Sequence, residues 1–180
     1  MYANIFGDFV KGKNLSHFSP IVQKGITLHR SIDSFMDQHP INKHLLRGLH
    51  ADLPKVSGLA IDLFYDHLLS KNWKDFSDIP LNLFIQNFEN YSINQVDYPN
   101  ESFHHVLMRM KKGQWLQNYA SLDGLDEACK GVSQRITFPN VLFAAKDVFI
   151  AHEQQITTAF YEFMKEAISF FEPKNKDVND

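Results

Sequence analysis

One cysteine in 180 residues, Cys129, rules out an internal disulfide and a metal centre built from several thiolates. It sits in Glu-Ala-Cys-Lys-Gly, which carries no nucleophile motif, so a buried structural role is expected. No apolar run approaches the roughly 20 residues a membrane-spanning helix needs, so no membrane partner is expected. The first residues hold Asp8 inside their apolar stretch, with no basic region ahead of it. That is not the pattern of a secretory signal, and the expectation is a cytoplasmic protein. The net charge of −3 gives no global attraction for nucleic acid, and no nucleic-acid partner is expected. Strand alternation, internal repeats and a glycine-rich phosphate loop are all missing. Val10-Lys11-Gly12-Lys13 is too short and wrongly spaced for such a loop.

What the chain does have is helical periodicity over an aromatic-rich core, with 16 phenylalanines and 44% hydrophobic residues. Ser19-Pro20 predicts a helix to about Met36, and His39-Pro40 opens another carrying Leu45, Leu46 and Leu49. Pro54 predicts a third to about Trp73, and Pro80 a fourth. Residues 101–121 and 123–133 read as two helices separated at Asp123-Gly124. Pro139 predicts one long final helix with a stripe from Val141 through His152 to Phe170. The expected architecture is one all-α helical bundle over residues 1–172, with a disordered polar tail at 173–180.

Two of these helices break their own apolar pattern. His29, Asp33 and Asp37 recur every four residues, so they share a helix face, and His29 and Asp33 interrupt the stripe of Val22, Gly25, Ile26, Ile32 and Met36. Asp62 and Asp66 are likewise four apart inside an apolar run, with His67 adjacent. Inward carboxylates cost several kcal/mol unless paired, hydrogen-bonded or metal-bound, which predicts a buried metal or acid/base site. The candidate cluster is Asp8, His29, Asp33, Asp62, Asp66 and His67, with Arg30, Asp37 and Arg135 as further members. Its oxygen and imidazole donors suit Mn²⁺, with Mg²⁺, Fe²⁺ or Zn²⁺ as alternatives. Such an ion polarises a phosphoryl oxygen and acidifies a bound water. The competing structural readings are a core histidine for His29, a salt bridge to Arg30 or Arg135 for Asp33 and Asp62, packing against Tyr65 and Trp73 for His67, and a helix cap for Asp8. Arg109-Met110-Lys111-Lys112 is a short basic run, a solvated face in the plain reading.

The order of the motifs resembles the acyl carrier protein phosphodiesterase family. The matching pieces are Gly7-Asp8-Phe9-Val10-Lys11-Gly12, then Gly25-Ile26-x-Leu28-His29-Arg30-x-Ile32-Asp33-x-x-x-Asp37, then Asp62-x-x-x-Asp66-His67-x-Leu69 followed by Trp73. Gly113-Gln114-Trp115-Leu116-x-x-Tyr119, Gly124-Leu125, Ser133-x-Arg135 and Phe160-Tyr161-x-Phe163 follow in order. Family members usually begin somewhat earlier, with an Asn-x-Leu-Ala-His-like segment, whereas this sequence opens at Met1-Tyr2-Ala3-Asn4.

The resemblance implies an all-α fold distantly similar to the HD-type metal-dependent phosphohydrolases. It implies hydrolysis of the phosphodiester joining 4′-phosphopantetheine to a serine of holo acyl carrier protein, with a divalent metal, typically Mn²⁺. On it, Asp8, His29, Asp33 and Asp62 are expected to be catalytic, and His29, Asp33, Asp62, Asp66 and His67 to hold the metal. Carrier proteins are acidic, so Arg30, Arg109, Lys111, Lys112 and Arg135 are expected to bind the substrate, with Lys11, Lys13 and Lys71 as further contributors. The alternatives are a phosphohydrolase acting on a small nucleotide and a non-catalytic helical binding protein with a degenerate site.

Overall fold

The computed structural model describes residues 1–90, 97–112 and 115–176, with the side chains at 111–112, 115–116 and 173–176 outside the description. Residues 177–180 of the predicted tail and Gly113-Gln114 therefore lie outside the described residues, as do the side chains of Lys111 and Lys112. The described residues are all-α, with no strand among them. The helices are α1 (Tyr2–Ile5), α2 (Pro20–Gln38), α3 (Pro40–Leu49), α4 (Ser57–Lys71), α5 (Leu81–Asn90), α6 (Glu101–Lys112), α7 (Trp115–Asn118), α8 (Leu122–Ser133), α9 (Ala145–Ala151) and α10 (Glu153–Lys176). They fall into two compact units, Met1–Asp37 with Asn82–Trp115, and Gln38–Leu81 with Leu116–Asp180.

In the first unit, Pro20 starts α2, where its fixed φ and missing N–H cost nothing. Val22 and Ile26 of α2 are fully buried. A β-carbon on Gly25 would stand 2.9 Å from the Ala3 Cα, so the glycine is what lets α1 lie directly on α2. A 3₁₀ turn, Phe6–Phe9, then carries Phe6 into an aromatic cluster with Phe18, Tyr98 and Phe103 at centroid distances of 5.6, 5.2 and 5.1 Å. The Asn100 side chain accepts from the Phe103 N–H at 2.9 Å and so caps the start of α6.

In the second unit, α4 is buried on most of its circumference. Ala60, Ile61, Leu63, Phe64, Tyr65, His67 and Leu68 are all enclosed. The Tyr65 hydroxyl donates to Asn42 Oδ1 at 2.9 Å, which ties α4 to α3. Helix α4 begins at Ser57, not at Pro54 as expected. Lys55 takes a left-handed φ of 67°, which stops a helix from propagating out of Pro54. The resulting turn buries both Leu53 and Val56 completely.

Other expected boundaries also move: the last helical stretch begins with a 3₁₀ turn at Leu142–Ala144 and α9 at Ala145, not at Pro139. Asp123-Gly124 is not a separator but the first turn of α8, where Ser121 Oγ accepts from the Gly124 N–H at 3.0 Å. A β-carbon on Gly124 would collide with the Asn118 carbonyl, so this glycine marks a close backbone approach. The long final helix is interrupted at His152, between α9 and α10. The His152 ring is held by Asp52 Oδ2 at 3.1 Å, and the interruption keeps Phe149 and Ile156, on either side of it, fully buried.

Candidate active-site residues

In the first unit, the sequence-predicted Asp8, His29 and Asp33 come together. His29 Nε2 lies 3.1 Å from Asp8 Oδ1 and 3.2 Å from Asp33 Oδ2. Both carboxylates accept, so the Nε2–H is shared between them. Asp33 reaches His29 through the one-turn spacing of α2, and Asp8 arrives on the Phe6–Phe9 turn. Gly7 is what makes that arrival possible, because a β-carbon there would sit 2.6 Å from His29 Cβ and closer still to the ring. The surrounding protein holds the Asp33 carboxyl above its ordinary range; His29 opposes this, while Asp8 and Asp37 reinforce it.

Burial departs from the sequence expectation for the carboxylates, while the histidines face inward as expected. His29 is 14% exposed, whereas Asp8 and Asp33 are 69% and 56% exposed. Asp62 and Asp66 also lie on the open stripe of α4. The histidines are inside and the carboxylates stand at the water boundary. The physical reason is that charged carboxylates keep their hydration wherever the fold allows it.

Arg30 is turned to a structural task. Its Nη2 donates to the Val10 carbonyl at 3.0 Å and the Gly12 carbonyl at 2.8 Å. Arg109 is exposed on α6.

In the second unit, His67 is 1% exposed and packs edge-on against Phe149. Its Nδ1–H donates to the Tyr119 carbonyl at 2.7 Å. Burial pulls its pKa below the ordinary value, so the ring is neutral and Nε2 carries a lone pair. That Nε2 has no hydrogen-bond partner, an orphaned buried acceptor of the kind a metal or a proton satisfies. Trp73 donates its indole N–H to the Ile79 carbonyl at 2.7 Å.

Tyr119 has a larger place than its motif suggested. Its phenol is pushed up to about 12, first by burial, then by Asp66 and Cys129, with Arg135 opposing. Tyr119, Asp66 and Arg135 are therefore electrostatic neighbours, a grouping that sequence spacing alone did not reveal. The Arg135 Nε also donates to the Gly131 carbonyl at 3.0 Å, at the end of α8. Cys129 is fully buried, with its thiol pushed up to about 12, as fits a structural residue. Lys71 is engaged by Glu153 at 3.3 Å.

Among the described residues, no three His, Cys, Asp or Glu side chains are already gathered as a metal cage. Within the first unit, the carboxylates of Asp8 and Asp33 are the hard oxygen donors that a divalent cation of the Mn²⁺ or Mg²⁺ type takes. An open groove of about 760 Å³ between α3 and α10, bordered by His44, His152, Gln155 and Glu162, contains none of the predicted site residues.

Asp66 supports a pH prediction. It touches water, yet enough protein surrounds its carboxyl to raise the pKa from 3.8 to about 6. The folded state therefore holds this proton more tightly than the unfolded chain does. Its stabilising contribution is complete below the ordinary carboxylate range and is lost as pH rises through about 6. Asp66→Asn should melt above wild type at neutral pH, with the gap closing as pH falls toward 4. Thermal melts across that range check this, and a gap independent of pH would contradict it.

Residues 1–167 match the acyl carrier protein phosphodiesterase family. Similar proteins bearing that name occur in Yersinia enterocolitica (26% identical, covering 91% of this chain and 85% of the relative) and Salmonella paratyphi A (27%, covering 89% and 83%). Another occurs in Escherichia coli O6:H1 (29%, covering 89% and 83%). No solved structure matches significantly. The family match spans nearly the whole chain and includes Asp8, His29, Asp33, Asp62, Asp66 and His67, so this protein belongs to the acyl carrier protein phosphodiesterase family.

Proposed function

We propose that this protein hydrolyses the phosphodiester between 4′-phosphopantetheine and the carrier serine of holo acyl carrier protein, releasing apo carrier protein, and that it does so in the cytoplasm with a divalent metal, Mn²⁺ first. The observation that carries the reading is the convergence of His29 Nε2 on Asp8 and Asp33 at 3.1 and 3.2 Å, all three within residues 1–167 that match the family. No helix among the described residues is long and apolar enough to cross a membrane.

In the reaction, water adds to phosphorus and the bond to the serine Oγ breaks, so a proton must reach the departing oxygen. His29 is the group able to hold and deliver it, because its Nε2–H already lies between two acceptors. Asp8 and Asp33 fix the ring between them. Within the first unit, Asp8 and Asp33 would hold a metal while His29 keeps its proton; His29 would join them as a ligand only where Nε2 has given that proton up. Within the second, Asp66 and the His67 Nε2 offer the same donor types, with Asp62 on the same stripe of α4. When bound, the ion supplies charge neutralisation at a phosphoryl oxygen. Arg109 and Arg135 remain proposed contributors to substrate binding, as do Lys111 and Lys112.

Intact-protein mass spectrometry of holo carrier protein incubated with enzyme and Mn²⁺ tests the activity: loss of the prosthetic-group mass is expected. Nucleotide hydrolysis without that loss would replace this reading by a small-substrate phosphohydrolase. Carrier binding with neither activity would leave a binding protein. Metal binding has its own readout. Mn²⁺ should raise the melting temperature, since a ligand confined to the folded state contributes about 2.7 kcal/mol at a hundredfold excess over its Kd. Asp33→Asn should blunt the rise, because a neutral amide is a poorer ligand. A melting temperature indifferent to Mn²⁺ would remove the metal from the proposal.

A further inference from the structure

We infer that the Lys11-Gly12-Lys13 loop, with the opening of α2, is a docking face for the acidic carrier protein itself; the identity of that partner rests on the function proposed above. Between Asp8 and Asp33 the chain has no carboxylate but four cations, Lys11, Lys13, Lys24 and Arg30, although its net charge is −3. Arg30 spends its Nη2 on the Val10 and Gly12 carbonyls at 3.0 and 2.8 Å, which staples the loop to α2. Gly12 adopts φ +84° with open space around it, so this glycine serves the backbone turn rather than a tight fit. Beyond it, Asn14 Oδ1 accepts from the Ser16 N–H at 3.0 Å and the Ser16 hydroxyl at 2.8 Å. The loop is thus shaped without using its lysines.

Lys11, Lys13 and Lys24 are exposed, and among the described residues none of them makes an ion pair. Among the described residues Lys43, Lys55, Lys74 and Lys165 are exposed and unpaired as well, so what singles out this segment is that no carboxylate interrupts its four cations. Helix α2 then presents Ile21, at 71% the most exposed large hydrophobic side chain among the described residues, one turn before Lys24. Ammonium groups on long exposed stems are poor at fixing one phosphate in a set geometry. They are suited to steering an extended acidic surface, to which an exposed isoleucine adds an apolar contact. The face adjoins the reacting groups through the chain: Asp8 lies two residues before the first clamped carbonyl, and Arg30 follows His29.

The test uses the full chain with Lys11→Glu and Lys13→Glu combined, and reads the Kd for immobilised apo acyl carrier protein at low and high salt, which requires no turnover. The double variant should weaken binding roughly tenfold at low salt, mainly through slower association, with the gap closing at high salt. Arginine at both positions should restore binding, the melting temperature should stay at the wild-type value, and Ile21→Ser should weaken binding at both salt levels. A Kd indifferent to the charge reversal overturns the docking face, whatever the turnover. Hydrolysis of bis(p-nitrophenyl) phosphate separates a second source of the charge effect: an equal loss with this small diester places the lysines on the phosphate and also overturns docking. Charge-dependent carrier binding in a wild-type protein that never converts holo to apo carrier would leave the face standing and refute the phosphodiesterase reading.

Discussion

His29→Ala should lower the turnover of holo carrier protein by about two orders of magnitude or more, the scale seen when a preorganised charge-stabilising group leaves a site. The expectation is this large because Asp8 and Asp33 both engage His29. Removing it takes away the proton carrier and leaves two carboxylates facing each other without a donor between them. Asp33→Asn should cost less than His29→Ala, because Asp8 still orients the ring. Both variants should remain folded, since the main buried apolar contacts of α2 come from Val22 and Ile26. Mass spectrometry gives the rates, and circular dichroism checks the fold. Turnover near the wild-type rate in a folded His29→Ala protein would remove His29 from the chemistry and with it the proposed role of the whole cluster.

Much of the helical framework was legible because prolines announce helix starts. Pro20 and Pro40 open α2 and α3 as their spacing predicts, and α5 begins directly after Pro80. Pro54 misled because Lys55 takes a left-handed conformation, which the residue type does not advertise. The break at His152 was hidden for a similar reason. The apolar stripe continues through it, and what holds the bend is an Asp52 partner a hundred residues away in sequence.

The meeting of Asp8, His29 and Asp33 was legible in the motifs, but its orientation was not. Fourfold spacing placed Asp33 under His29 correctly. It could not say that the carboxylates keep water while the histidines are buried, because both arrangements give the same spacing. Arg30 was expected to bind the substrate; its Nη2 also clamps the backbone, on two carbonyls about 20 residues upstream that spacing along α2 could not indicate. Tyr119 was visible only as a motif position. Its relation to Asp66 and Arg135 comes from the turn after α7, which the reading of 101–121 as one helix had erased.

Gly7→Ala should be nearly as damaging as His29→Ala, by a different route. An added β-carbon would lie 2.6 Å from His29 Cβ and nearer to the imidazole ring, a separation that real contacts do not show. Something must move, and the choices are poor. Displacing the ring pulls Nε2 away from Asp8 and Asp33, while shifting the Phe6–Phe9 turn drags Phe6 out of its cluster with Phe18, Tyr98 and Phe103. Overpacking of this kind costs typically about 1–3 kcal/mol, so a lowered melting temperature should accompany the lost turnover. The diagnostic is the double variant. With His29→Ala in place the ring is gone, so adding Gly7→Ala should cost less stability than it does alone, although the remaining β-carbon keeps the relief partial. Turnover should fall no further than in His29→Ala, because both changes act on one group. Strictly additive losses of stability and turnover would mean that Gly7 serves something other than the seat of His29, and the account of the Gly7-Asp8 motif would have to be rebuilt around the turn alone.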